Sequence, residues 1–316
     1  MRRLLAAVAR APEEEVGVLG PKFRVATVEK IAINATMAWC RPEYMPVLVA
    51  AVEAMAEPQF NLYGLQATTH PTGTPLLLIN GPVRQELEIN GDQGCFGHGT
   101  RANATIGRAI RLILTNVGGA YPGETDMSTH GWPGKFGFCC GENEERLPEG
   151  WEPLHVERGY RRDESAVTVV GTGGTCNFGD LYSTTAEGIV ASAANALSTW
   201  GTNNITGGGG EPLLVLGPEH AAILAREGLG KAEVRHRVYE RCGFPVERLG
   251  SEMQAAMLRR HANLAGTGLL KPAARAGDIM VVVAGGAGGH SVFIPTWGAD
   301  TRAVTRPIRP RAARGP

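Results

Sequence analysis

Cys95 and His98 sit three residues apart in a glycine-studded stretch, INGDQGCFGHGTRANATIGRAIRLILTNVGG, that spans residues 89–119. A thiol and an imidazole this close are the parts of nucleophilic or proton-transfer chemistry. The stretch then becomes the most regular helical pattern in the chain. Ala102, Ile106, Ala109, Ile110 and Ile113 fall at i, i+4, i+7, i+8 and i+11, a buried stripe. Arg101, Thr105 and Arg108 fall on a second face, and Thr100 has the right type for an N-cap. A helix start with unpaired N–H groups and two arginines favours an anion or a thiolate. The expectation is therefore a thiolate at Cys95, His98 as acid or base, and an anion clamp at Arg101 and Arg108, with Gly97 and Gly99 letting a ligand approach the backbone.

Three further segments carry residues of the same kinds. Cys40 precedes the Pro42/Pro46 turn into a second helix, and Pro46 suits a first helical turn because deeper inside it would cost about 3 kcal/mol. Thr68, Thr69 and His70 crowd a polar loop that leads to the aliphatic run 76–79 and to Asn80, before a Gly-Pro turn. The run 136–139 reads as a strand that delivers Cys139 or Cys140 to its end; neighbours on a strand point to opposite faces, so one of the two faces any given site. The acidic run after it, with Glu142 and Glu144, reads as a general-base source or, more commonly, a solvated loop.

Two geometries follow. In the first, a pair among Cys40, Cys95 and Cys139 (or Cys140) does thiol chemistry, with Cys95 as the reactive thiolate and His98 or His70 moving protons; no cofactor is required. In the second, Cys40, Cys95 and Cys139 hold a [4Fe-4S] cluster whose open iron would polarise a substrate. No close cysteine spacing favours the cluster. A third class, a non-catalytic binding subunit of a redox complex, leaves the six cysteines structural.

Composition bounds the rest. The 316 residues carry 31 basic and 31 acidic side chains and so no formal net charge, which argues against a general nucleic-acid binder. No apolar run approaches the roughly 20 residues of a membrane helix. The apolar stretch 4–8 is shorter than the roughly 7–15 residues of a secretory core, so a cytoplasmic, non-membrane protein with free thiols is expected. The 43 glycines, about twice the average usage, cluster at 171–174, 207–210 and 285–289. The first and last of these clusters follow aliphatic runs and read as strand-end anion loops, with Gly288, His290 and Ser291 as ligand contacts. Neither fits the dinucleotide fingerprint.

The second half repeats the grammar of the first. EPLLVLGPEHAAILAREG answers TPLLLINGPVRQELEING, a weak internal duplication. The expected architecture is α/β: two similar lobes at 1–160 and 161–300, short buried parallel strands with glycine-rich loops at their C-terminal ends, and a flexible basic tail at 301–316. The helical region 229–261 reads as a solvated or partner-facing pair. A small anionic substrate would bind between the lobes, and the chain is expected to form homo- or hetero-oligomers.

Several long segments, NATMAWCRPEYMPVLVAAVEAM, GLQATTHPTGTPLLLINGP, RANATIGRAIRLILTNVGG and GKFGFCCGENEE with EPLHVERG, resemble the larger proteins of the UGSC (seleno)protein family over residues 17–160. The Cys-Gly-Ser-Cys motif of that family's small thioredoxin-like module is absent. What the resemblance implies is a partner, a small thiol or selenol protein of thioredoxin type; it names no reaction.

Overall fold

The structure is a computed structural model that describes residues 1–69, 73–261, 264, 267–298 and 300–309. The chain opens with α1 (Arg2–Leu5), the antiparallel hairpin β1 (Glu15–Leu19) and β2 (Arg24–Thr27), α2 (Val28–Met37), α3 (Met45–Ala56) and α4 (Leu62–Ala67). Then come β3 (Thr74–Asn80), α5 (Val83–Glu86), α6 (Arg101–Asn116), β4 (Cys139–Gly141), α7 (Leu154–Glu157) and β5 (Ala166–Thr172). The second half holds β6 (Cys176–Gly179), α8 (Ala186–Leu197), β7 (Leu213–Leu216), α9 (Pro218–Arg226), α10 (Lys231–Arg241), β8 (Phe244–Pro245), α11 (Ser251–Arg260) and β9 (Leu269–Leu270). It ends with β10 (Met280–Val283), β11 (His290–Ile294) and β12 (Val304–Pro307).

Two four-stranded sheets carry the fold, in the orders β12-β5-β3-β4 and β10-β7-β11-β6. Both repeat one pattern. The central strand β3 is parallel to β4 and antiparallel to β5, which is antiparallel to β12. Likewise β7 is parallel to β10 and antiparallel to β11, which is antiparallel to β6. The α/β class is as expected, but the strands are mixed in direction rather than all parallel. The reason is linker length. Only residues 284–289 join β10 to β11, far short of the dozen or more that a parallel crossover needs.

The sheets also exchange edges. β5 belongs to the first sheet, and after three linking residues β6 enters the second; β11 belongs to the second, and β12 returns to the first. A division at residue 160 is therefore corrected: β5 lies in the first sheet, and residues 173–175 cross between sheets. The tail expected to be flexible from 301 is corrected as well, because β12 pairs with β5 from Val304 to Pro307. Residues 310–316 lie outside the described residues.

Side-chain alternation turns this topology into four layers. Leu77, Ile79, Val167 and Val169 face outward and pack with α2, α3 and α6, while Leu214, Leu216, Val281 and Val283 face outward on the other side and pack with α8, α9 and α10. Leu76, Leu78 and Val170 meet Leu213, Val215 and Val282 in between, joining the two sheets face to face. The five residues of the α6 stripe are all buried. The helix pair at 229–261 is less solvated than its charge suggests, because Lys231, Val234 and Val238 of α10 are buried.

Candidate functional site

The strand β4 decides how the cysteines are grouped. Its two thiols point to opposite faces: Cys139 packs in the helix-covered layer with Cys40, and Cys140 packs between the sheets with Cys95. Cys40 is the electrostatic neighbour of Cys139, and Cys95 that of Cys140. The expected trio of Cys40, Cys95 and Cys139 is thus split by the sheet, with Cys40 and Cys139 on one face and Cys95 beside Cys140 on the other, because the side-chain period of a strand is two. Among the described residues no group of three His, Cys, Asp or Glu side chains is gathered for a metal ion.

Cys95 lies in the loop that lies against the second sheet's glycine turn. The Gly285 N–H donates to the Gly91 carbonyl at 2.8 Å, and any side chain at Gly286 would collide with Gln93. Burial pushes the Cys95 thiol up to about 11; the N–H groups of Phe96 and Gly285 act against that, and Asp92 adds to it. Burial likewise pushes Cys40 up to about 11, with Arg101 opposing, and its Sγ donates to the Thr105 carbonyl at 3.3 Å. The expected resting thiolates are corrected to thiols, since desolvation of the charged form outweighs the donors. Cys139 and Cys140 are raised further by the same cause.

The start of α6 is used differently from expectation. Thr100 occupies the cap position, yet its hydroxyl donates to the Glu88 carbonyl at 2.6 Å and caps no N–H. Asn103, unremarked in the sequence, ties the loop down: its Nδ2 donates to the carbonyls of Asn90 at 2.9 Å, Cys139 at 3.1 Å and Cys95 at 3.5 Å. Arg101 reaches away from Cys95 and donates to the Trp39 carbonyl at 2.9 Å, which places it beside Cys40. Arg108 and His98 are exposed. Gly97 donates to the Gly94 carbonyl at 2.9 Å, and Gly99 has φ +54° with Asn103 packed against it.

The other expected contacts serve the scaffold. The Thr68 hydroxyl donates to the Gly64 carbonyl at 2.9 Å, and the Thr69 carbonyl accepts from the Thr129 hydroxyl at 2.9 Å. His70 lies outside the described residues. The turn at 285–289 is already filled: Glu219 Oε2 accepts from the N–H groups of Gly288 at 2.9 Å and Gly289 at 2.5 Å, and these hold its carboxyl below the usual range. His290 is exposed beside Asn177. Ser291 is buried, and its Oγ accepts from the Gly217 N–H at 3.0 Å and meets His220 Nδ1 at 2.7 Å. The turn at 171–174 links the sheets, with the Gly173 N–H on the Pro295 carbonyl.

Asn80 joins a network that the sequence did not reveal. Glu142, expected in a solvated run, is fully buried. Its Oε2 accepts from Asn80 Nδ2 and the Leu154 N–H, both at 2.7 Å. Its Oε1 accepts from Lys231 Nζ at 3.2 Å and the Val283 N–H at 3.4 Å. Asn80 also donates to Glu144 at 3.0 Å, and buried Arg84 pairs with Glu144 and Glu145. His155 is buried nearby, 4.0 Å from Glu144, and neither ring nitrogen has a hydrogen-bond partner among the described residues. The only sign in the sequence was an acidic run placed directly after an apolar strand.

No protein-family model matches the chain, and no curated protein matches it.

Proposed function

We propose that this chain is a cysteine-dependent enzyme of the reductase kind, with Cys95 as the attacking thiol and Cys140 as the resolving one. The observation that carries this reading is their placement. The two thiols are electrostatic neighbours in the layer between the sheets, and Cys95 lies in a loop whose flanking residues Gln93, Gly94, Gly97 and His98 are exposed. The backbone of Phe96, in its own loop, and of Gly285, in the second sheet's turn, lowers its pKa against the larger effect of burial. Opening of the glycine-hinged loop hydrates Cys95 and returns its pKa toward the ordinary thiol value of about 8.5, and exposed His98 is in the same loop to take the proton.

The Cys95 thiolate attacks one sulfur of a substrate disulfide, a new S–S bond forms, and the other substrate sulfur leaves as a thiolate. Cys140 then attacks the Cys95 sulfur, closing a Cys95–Cys140 disulfide and releasing the second substrate thiol. Two electrons and two protons pass to the substrate. A small thiol or selenol protein, the kind of partner the UGSC resemblance implies, supplies the two electrons that reopen the disulfide.

Peptide mapping after treatment with oxidised glutathione tests the reading. Wild-type chain should yield a Cys95–Cys140 cross-link, and Cys140→Ser should accumulate a mixed disulfide at Cys95. A Cys95→Ala chain that still reduces glutathione disulfide at the wild-type rate, or an oxidised chain cross-linked only elsewhere, would overturn it.

A further inference from the structure

A concave surface lies in the other half of the fold, with no lining residue in common with the Cys95 loop. It is a cavity of about 560 Å³ between the π-helical turn Asn204–Gly208, the end of α11, β9 and the segment before β12. That volume is in the range of small-molecule sites, roughly 300–1,000 Å³. Single-turn π-helices gather at functional positions, and this one runs into glycines at 208, 209 and 210 with φ of +76°, +76° and +100°. The wall they form carries no side chain, so a ligand can lie against backbone.

The cavity's charge is of one sign. Among the described residues its ionisable lining is Arg260, His261, Lys271 and Arg302, with Tyr239, and includes no acid. Lys271 is already committed, because its Nζ donates to the carbonyls of Tyr239 and Cys242, each at 2.7 Å, and of Glu240 at 3.1 Å. The Tyr239 hydroxyl is likewise spent on the Ala274 carbonyl at 2.9 Å. Arg260 and Arg302 are exposed, and neither has an ion-pair partner among the described residues. The floor is apolar, with Ile205, Leu270 and Ala273 buried.

We infer that this cavity binds an organic phosphate, with the phosphate held by Arg260 and Arg302 and an apolar or aromatic body laid on the Ile205–Leu270 floor. The two guanidiniums offer the planar forks that suit a phosphate's oxygens, and His261 packs on Gly208 with its Nε2 3.3 Å from the Thr206 carbonyl. An uncharged ligand of the same size would leave both guanidiniums unanswered. The inference does not rest on the chemistry proposed for Cys95.

Isothermal titration of the full chain with AMP, pyrophosphate and adenosine at low salt tests it. AMP should bind, pyrophosphate more weakly, and adenosine least. Arg260→Ala and Arg302→Ala should each weaken AMP about tenfold, the loss of one charged hydrogen-bonding group, with unchanged melting temperature because both side chains are exposed. Cys95→Ala should leave AMP binding intact, which separates this site from the thiol chemistry. Absence of binding by AMP and pyrophosphate at millimolar concentration, or affinity indifferent to both arginine substitutions, overturns the inference.

Discussion

Glu142 Oε1 accepts a hydrogen bond from Lys231 Nζ at 3.2 Å, with the two side chains 0% and 4% exposed. The pair joins the loop after β4, in the first sheet, to the first turn of α10, which covers the second. Glu142 also accepts the Leu154 and Val283 N–H groups, so its lone pairs are well filled. Breaking one partner of such a buried pair costs about 3–5 kcal/mol, whereas replacing both by groups of matched shape costs far less. Lys231→Met should therefore lower unfolding stability by that order in urea titration, and Glu142→Gln/Lys231→Met should be less destabilised than the sum of the single changes. Additive losses would show that the pair is not coupled.

The raised thiols should make stability fall at alkaline pH. Cys40, Cys95 and Cys242 are each pushed up to about 11, first by burial. The folded chain then keeps protons that the unfolded chain releases above about 8.5, so stability is full below that pH and falls as pH rises toward 11. Melting temperatures across pH 8 to 11 check this, and Cys242→Ala should flatten the decline. A melting temperature that climbs over that interval contradicts the assignment.

Labelling order follows from exposure. At pH 7, iodoacetamide should modify half-buried Cys176 before buried Cys95, and the Cys95 rate should grow with pH as its thiolate fraction grows. Cys139 and Cys140, raised further by burial, should label last. Mass spectrometry of tryptic peptides reads all four.

Glu219 holds the 288–289 turn by two N–H groups. Glu219→Ala should speed amide hydrogen exchange at Gly288 and Gly289 at least several-fold while leaving exchange in β7 unchanged. Unaltered exchange at both glycines would mean the carboxylate does not order the turn.

The two faces of α6 should separate in unfolding experiments. Ile106 and Ile113 are fully buried, and truncation to Ala should cost about 2–5 kcal/mol each. Arg108→Ala, on the exposed face, should stay within about 0.5 kcal/mol of wild type.

The sequence by itself determined what local periodicity and chemistry can determine. The α6 stripe and the buried runs at 76–79 and 280–283 are legible because burial period follows helix or strand geometry over a few residues. The repeated Pro-Leu-Leu and Gly-Pro grammar falls on β3 and β7, the central strands of two sheets with one topology. It also limited Cys139 and Cys140 to opposite faces. Only the tertiary structure decided which thiol each would meet, that Glu219 fills the glycine turn, that β6 and β12 change sheets, and that Glu142 finds Lys231 some ninety residues away. Those are pairings between distant segments, and their energies depend on which faces the sheets turn toward each other, a quantity no local pattern encodes.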